Sequence, residues 1–311
     1  MESWKLTLPC TRAEAEILKE DIAPFVLLEP VPVLMTSEID PAAPDDWQLD
    51  IYFEEEPSAA TVTMAKQLVP SSADTTPVII RLDDQDWVAI SQEGLAPIRE
   101  GRFFVHTPIH RDEIPEGALV FEIDAGQAFG TGHHETTAGC LAILDTLKSQ
   151  GRRYRSIADI GTGTGILAFA AMALWPNAET IASDIDPLAI EVAEQNAAIN
   201  AVRIGRGSGQ VEMLVAAGLA HRRLRARAPY DLLIANILAG PLIELAPIFG
   251  NGVAPGGTLV LAGLLDKQAD AVASAYRRNR FRLAERLNRG EWSILRLEKR
   301  RVRGHRPASR G

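Results

Sequence analysis

Short apolar runs alternate with amphipathic ones along the whole chain, in two different styles. In the first third, WKLTLP, VPVLMT, WQLDIYFEEE and PVIIRLDD read as strands, the third with partial alternation. RAEAEILKEDI places Ala15, Leu18 and Ile22 on one side of a helix, and PSAATVTMAKQLVP reads as a second helix. The order strand, helix, two strands, helix, strand predicts a small α+β sandwich of the ferredoxin-like kind. Residues 85–100, QDWVAISQEGLAPIRE, are expected to form a connector, because Gly94 and Pro97 would interrupt any helix begun at Trp87. FFVHTP and ALVFEID follow as two strand candidates.

From residue 138 the alternation becomes regular. AGCLAILDTLKSQ carries Leu141, Leu144 and Leu147 at one helical spacing. YRSIADIG is a strand ending in glycine, ILAFAAMALW a helix, ETIASDID a strand, and PLAIEVAEQNAAIN a helix with Pro187 suited to its first turn. YDLLIANI, GPLIELAPIF, GTLVLAGLL and DKQADAVASAYRRN continue the strand–helix series. FRLAERLNRGEWSILRLEK closes it as a pair of strands around Asn288-Arg289-Gly290. Strands alternating with helices predict a doubly wound, mostly parallel sheet, made mixed by a C-terminal antiparallel hairpin.

Composition narrows the class. The 311 residues are 46% apolar, ordinary for a globular chain. No apolar run is long enough to span a bilayer, so no membrane contact is expected. MESWKLTLPCTRAEAE lacks a basic start followed by an apolar stretch, and no signal peptide is expected. With two distant cysteines, Cys10 and Cys140, a reducing, cytoplasmic setting fits, and Cys140 reads as packing. Charge is uneven: residues 1–100 hold 20 acidic and 6 basic side chains, a balance of −14 in a chain of net charge −9. An acidic module attracts basic partners and repels nucleic-acid backbones. It also simply keeps a domain in solution. The final run KRRVRGHRPASRG is basic, and residues 300–311 read as a tail.

The chemistry concentrates at strand ends. IADIGTGTG ends a strand at Asp159 and sets Gly161, Gly163 and Gly165 at alternate positions before a helix. The dinucleotide fingerprint needs its third glycine where Ile166 stands, so a nicotinamide enzyme is disfavoured. No lysine accompanies the loop, which excludes a P-loop. A close strand–helix turn without any ligand is the plain alternative. Asp184 ends the next strand, where an acid can accept hydrogen bonds from a ribose; Asp186, before Pro187, is the alternative or a helix cap. Asn236 interrupts the apolar run LLIANIL, either facing the same crevice or capping the helix that follows. Its amide oxygen could orient an N–H of an incoming amine. His133, His134 and Glu135 are consecutive and cannot converge on one ion, and no zinc-ligand spacing occurs, so no metal is expected.

The order FGTGHHETT, DIGTGTGIL, SDIDPLAIEVAEQNAAIN, IANILAGPLIELAP resembles the PrmA family, S-adenosylmethionine-dependent methyltransferases that modify the eleventh protein of the large ribosomal subunit. The resemblance covers roughly residues 85–298. It implies a Rossmann-like class I methyltransferase domain at 101–299, a linker at 85–100 and an acidic substrate-recognition domain at 1–84. S-adenosylmethionine would be the cofactor and S-adenosylhomocysteine the product. Cofactor contacts carry over to Thr137, Gly161, Asp184 and Asn236, with Gly163 in the same loop. Phe129, Gly130 and Thr131 would line the loop over the methionine part. Asn236 is the expected amine-orienting residue; His134 matches a family position that could shape the loop or serve as a base, and no residue stands out as a dedicated base. Thr162 and Thr164 stand where Cys and Ser are frequent, and Glu135 where Pro is frequent. The threonines of the run 124–141 also suit the start of a helix from Ala138. The resemblance implies methylation of lysine and α-amino nitrogens of a basic ribosomal protein, free or on the ribosome, with no direct nucleic-acid specificity. A methyltransferase of another protein, RNA or small molecule, and a non-catalytic nucleoside binder, are the remaining alternatives.

Overall fold

The computed structural model describes residues 3–18, 32–39, 45–53, 55–82, 96–123 and 134–301. The chain divides into two compact units, Met1–Gly94 and Leu95–Gly311.

The first unit follows the predicted order: β1 (Ser3–Thr11), α1 (Arg12–Leu18), β2 (Val33–Glu38), β3 (Asp46–Phe53), α2 (Ala59–Leu68) and β4 (Val78–Leu82). Its sheet runs β2-β3-β1-β4, with every neighbouring pair antiparallel. This is the ferredoxin-like arrangement. Leu6 and Leu8 of β1 and Leu49 and Ile51 of β3 are fully buried against Ala15, Leu18 and Ala65 of the helices. Strand periodicity puts i and i+2 on one face, which is why these four point together. Ser58 caps α2 by accepting the Thr61 N–H at 3.2 Å.

The second unit opens with a three-stranded sheet of β5 (Ile98–Glu100), β6 (Phe103–His106) and β7 (Leu119–Glu122), in which β5–β6 is antiparallel and β6–β7 parallel. β5 falls inside the stretch read as a connector, whose residues 85–95 lie outside the described residues. A single helix, α3 (His134–Ser149), begins four residues before the expected start at Ala138, so Thr137 lies inside its first turns and does not cap it. Glu135 sits in the first turn, where the helix dipole favours an acid.

The remaining elements are β8 (Ser156–Ile160), α4 (Ile166–Leu174), β9 (Glu179–Asp184), α5 (Pro187–Ile199), β10 (Gln210–Val215), α6 (Arg222–Arg227), β11 (Tyr230–Asn236), α7 (Ala239–Gly252), β12 (Val253–Leu265), α8 (Ala269–Arg278), β13 (Phe281–Arg289) and β14 (Trp292–Lys299). They build a seven-stranded sheet ordered β10-β9-β8-β11-β12-β14-β13. The first five positions are parallel; β14 is antiparallel to both neighbours. β10 and α6 were not expected from the sequence pattern.

Alternation along the central strands serves two cores. Leu232, Ile234, Val260 and Ala262 face one side with Leu141, Leu144 and Leu147 of α3 and Phe169 of α4. Leu233, Ala235, Leu259 and Leu261 face the other with Leu242 and Phe249 of α7 and Tyr276 of α8. Burial on both faces explains why these strands read as unbroken apolar runs. Cys140 lies in the first of these cores, fully buried, and burial pushes its thiol pKa up. It is packing material, as expected. Among the described residues, no helix is long and apolar enough to cross a membrane.

Candidate functional site

The three strand ends singled out in the sequence lie on one level of the sheet. Asp159 pairs with Ala182 on one side and with Ile234 on the other, forming a row across β9, β8 and β11. Gly161, Asp184 and Asn236 each stand two residues beyond that row. β8 lies between β9 and β11, so the chain changes sides here. Such a point in an open α/β sheet leaves a crevice outside the carboxyl ends of the strands. A cleft of about 880 Å³ opens there, and Thr137, Gly161, Gly163, Asp184 and Asn236 all line it.

The glycine loop is held from several directions. The N–H groups of Gly161 and Thr162 both donate to the Ser183 carbonyl, at 2.7 and 3.0 Å. Gly161 has φ +74°, and a Cβ there would stand 2.2 Å from Cγ2 of Ile237. This glycine lets the loop close onto the end of β11. Gly163 has φ +52° and would meet no protein atom within 4 Å. Its missing side chain leaves space on the cleft side. The two glycines thus differ, one packed against Ile237 and the other open to the cleft.

Asp184 is a structural acid as well as a cleft residue. Its Oδ2 accepts the Gly163 N–H at 2.9 Å and its Oδ1 the Asp186 N–H at 3.1 Å. Each oxygen keeps acceptor capacity for a further donor. Asp186 caps α5 by accepting the Leu188 N–H at 2.9 Å, and does not line the cleft. Asn196 of α5 donates to the Thr164 carbonyl at 3.1 Å, so that helix also supports the loop.

Asp159 lies beneath the loop, 1% exposed. Burial pushes its pKa up to about 7; the Thr162 hydroxyl, donating to Oδ2 at 2.7 Å, opposes that rise, and the charge of Asp184 adds to it. The buried Thr162 hydroxyl therefore has its own polar partner.

Asn236 is half-buried and does not cap α7, whose cap is Leu238. Its Nδ2 lies 3.5 Å from Oγ1 of Thr137, at the outer limit of a hydrogen bond. Its Oδ1 is buried and has no partner among the described residues. A buried amide oxygen without a partner costs about 1–3 kcal/mol unless something supplies a donor. The cleft is where such a donor would come from.

Several lining residues were not found from sequence. Ala216, Ala217 and Gly218, after the unexpected β10, form one wall, and Pro241, Glu244, Leu245 and Ile248, at successive turns of α7, form another. Ile185, directly after Asp184, is 72% exposed at the cleft. Among the described lining residues the only charged ones are Asp184 and Glu244, both acids. Phe129, Gly130, Thr131 and His133 lie outside the described residues. His134 begins α3.

Comparison with known proteins gives a consistent result. The profile of a family described as ribosomal protein L11 methyltransferase (PrmA) matches residues 27–300. A ribosomal protein L11 methyltransferase of Brucella suis is 41% identical over 252 residues, covering 81% of this chain and 85% of its own. One of Rhizobium rhizogenes is 38% identical over 303 residues, covering 96% and 100%. The crystal structure of a ribosomal protein L11 methylase from Lactobacillus delbrueckii subsp. bulgaricus superposes with a TM-score of 0.55 at 27% identity, over 66% of this chain and 98% of that one.

Proposed function

The chain belongs to the PrmA family of ribosomal protein L11 methyltransferases, and from that premise we propose that it transfers methyl groups from S-adenosylmethionine to lysine and α-amino nitrogens of ribosomal protein L11 in the cytoplasm. The observation that carries this reading is the unpartnered Oδ1 of Asn236, on the same level as Gly161 and Asp184.

The residues suit the cofactor chemically. Asp184 has acceptor capacity for ribose hydroxyls, Gly163 leaves room for close approach, and Ile185 and Leu245 offer apolar faces to a purine. Two acids and no base among the described lining residues favour a cation such as a sulfonium, and give a phosphate nothing to neutralise it. Thr137 and Asn236 complete the cradle in this reading, and the family resemblance adds Phe129, Gly130 and Thr131 as further cofactor contacts. When bound, S-adenosylmethionine supplies a methyl group already activated on sulfur and leaves as S-adenosylhomocysteine.

What remains for the protein is alignment and a neutral amine. A lysine ammonium has a pKa of about 10.4 and must lose a proton before it can attack. Asn236 Oδ1 then accepts one N–H of the amine and turns the nitrogen lone pair into the cleft. The same contact ends the isolation of that oxygen. Asn236 is the catalytic residue of this reading.

The acidic first unit serves as the docking module for the basic substrate. Glu38, Asp45 and Asp46 gather at one end of the β2–β3 pair and are exposed. Replacing them with amides should raise the KM for the ribosomal protein without changing cofactor affinity. The decisive test supplies radiolabelled S-adenosylmethionine and ribosomal proteins from cells lacking this enzyme. Label on protein L11 alone is expected; label on RNA or on another protein would reject the substrate.

A further inference from the structure

The cleft occupies one end of the parallel strands, and the opposite end has a different character. Val211, Thr180, Ile157, Leu232, Thr258, Glu298 and Arg282 form a single row across all seven strands. Just outside this row the chain places arginines at almost every strand. Arg153 and Arg155 precede β8, Arg206 precedes β10, Arg227 precedes β11, and Arg280 and Arg300 flank β13 and β14. Arg280 and Arg300 are adjacent, since the Arg300 N–H donates to the Arg280 carbonyl at 2.9 Å.

The acids of this edge are already engaged. Asp231 accepts the backbone N–H groups of Arg155 and Ser156 at 3.0 and 3.2 Å. Glu298 pairs with Arg282 at 2.5 Å and with Arg296 at 3.5 Å. Glu179 lies 3.7 Å from Arg227, and Glu212 is buried among Arg206, Arg223 and Arg227. The guanidinium groups of Arg153, Arg155, Arg280 and Arg300 are on exposed residues and make no ion pair with any described residue. Six strand spacings of about 4.8 Å give the basic edge a length of roughly 29 Å. It stands six residues along β8 from Gly161, about 20 Å at 3.3 Å per residue.

The four unpaired arginines of this edge, Arg153, Arg155, Arg280 and Arg300, are suited to phosphates, whose oxygens match the guanidinium fork. The aromatic residues beside them, Tyr154 and Phe281, are buried at 6% and 0% exposure, so the edge offers no exposed ring to enter a bilayer or stack on a base. We propose that this edge of the sheet, opposite the methyl-transfer cleft, is a docking face for the phosphate backbone of RNA. The choice of RNA among polyanions rests on the reading of the substrate as a ribosomal protein, which is encountered beside RNA. Binding is independent of base sequence, since the unpaired cations of the face are guanidinium groups that meet phosphate and the buried rings leave nothing to stack on a base.

The test uses the full chain, without cofactor, and a fluorescein-labelled 20-nucleotide oligouridylate in an anisotropy titration at several salt concentrations. Neutralising four to six phosphates of a single strand should give a log–log salt slope of about −3 to −4. The double variants R153E/R155E and R280E/R300E should each weaken binding at least tenfold and flatten the slope by about one. Both should bind S-adenosylmethionine and methylate free ribosomal protein as the parent does. Equal RNA affinity in parent and both variants would overturn the proposal. So would tighter binding to vesicles containing anionic phospholipid than to the oligonucleotide. Because RNA binding is measured without methyl transfer, a failure of the assigned substrate would show separately, as unlabelled protein L11 with RNA affinity intact.

Discussion

Asp184 Oδ2 accepts the Gly163 N–H at 2.9 Å, so the acid that ends β9 holds the loop that follows β8 in its cleft-lining position. One carboxylate thus shapes the loop and remains available to a ligand's hydroxyls. Asp184→Ala removes both roles. A charge-assisted hydrogen bond contributes about 1.5–3 kcal/mol, so the Kd for S-adenosylmethionine should rise roughly ten- to hundredfold. Calorimetric titration with S-adenosylhomocysteine, which lacks the sulfonium charge, should show a similar loss. Unchanged affinity for both would remove Asp184 from the cofactor site.

Asn236 makes a sharper prediction because its amide oxygen has no other described partner. Asn236→Ala should lower kcat by about one to two orders of magnitude, an effect on the step in which the amine is aligned. Cofactor affinity should change much less than kcat, since the Nδ2 side makes only the 3.5 Å approach to Thr137. Single-turnover measurement at saturating cofactor separates the two. Full turnover in this variant would end the amine-orienting assignment.

Much of this arrangement could be read from the sequence, because it sits where pattern and chemistry coincide. Gly161, Asp184 and Asn236 each interrupt an apolar run at its end, and the doubly wound topology then brings strand ends together whatever the loops do. β10 and α6 escaped for physical reasons. β10 is an edge strand with irregular burial, and both flanks, 203–209 and 221–228, are rich in arginine, so no alternation appears. A length signal was present: treating everything between Asn200 and Tyr230 as loop conflicts with the short connections usual in compact domains. The wall formed by Ala216–Gly218 follows directly from β10 and carries no pattern of its own. The sequence pattern starts α3 late because its first turn is built from polar residues, His134 to Thr137, which carry no apolar periodicity.

Asp159 predicts a pH dependence of stability. Its carboxyl titrates near 3.8 when exposed and is pushed up to about 7 by burial under the glycine loop. Between these values the folded protein holds a proton that the unfolded chain has lost. Stability from this group is therefore complete below about pH 4 and declines until about pH 7, by a few kcal/mol at most. Asp159→Asn keeps a neutral acceptor for the Thr162 hydroxyl and cannot ionise. Its melting temperature should exceed that of the parent at pH 8, with the gap closing towards pH 5. A gap of equal size at both pH values would show that the buried acid does not titrate in this window.

The loop glycines allow packing to be separated from ligand approach. Gly161→Ala forces a methyl group onto Ile237 Cγ2 at 2.2 Å and holds alanine at φ +74°, so it should destabilise the fold by about 2–4 kcal/mol. Gly163→Ala carries only the strain of φ +52°, about 1–2 kcal/mol, because no protein atom lies within 4 Å of the added carbon. Its methyl group instead occupies the space a ligand would use. Gly163→Ala should therefore melt only a few degrees below the parent yet bind S-adenosylmethionine at least tenfold more weakly, whereas Gly161→Ala should show its main defect in the melting curve. Differential scanning calorimetry and cofactor titration on the same preparations distinguish the two. Parent-like cofactor affinity in Gly163→Ala would mean that the open side of Gly163 is not where the cofactor lies, and that the loop is shaped for packing alone.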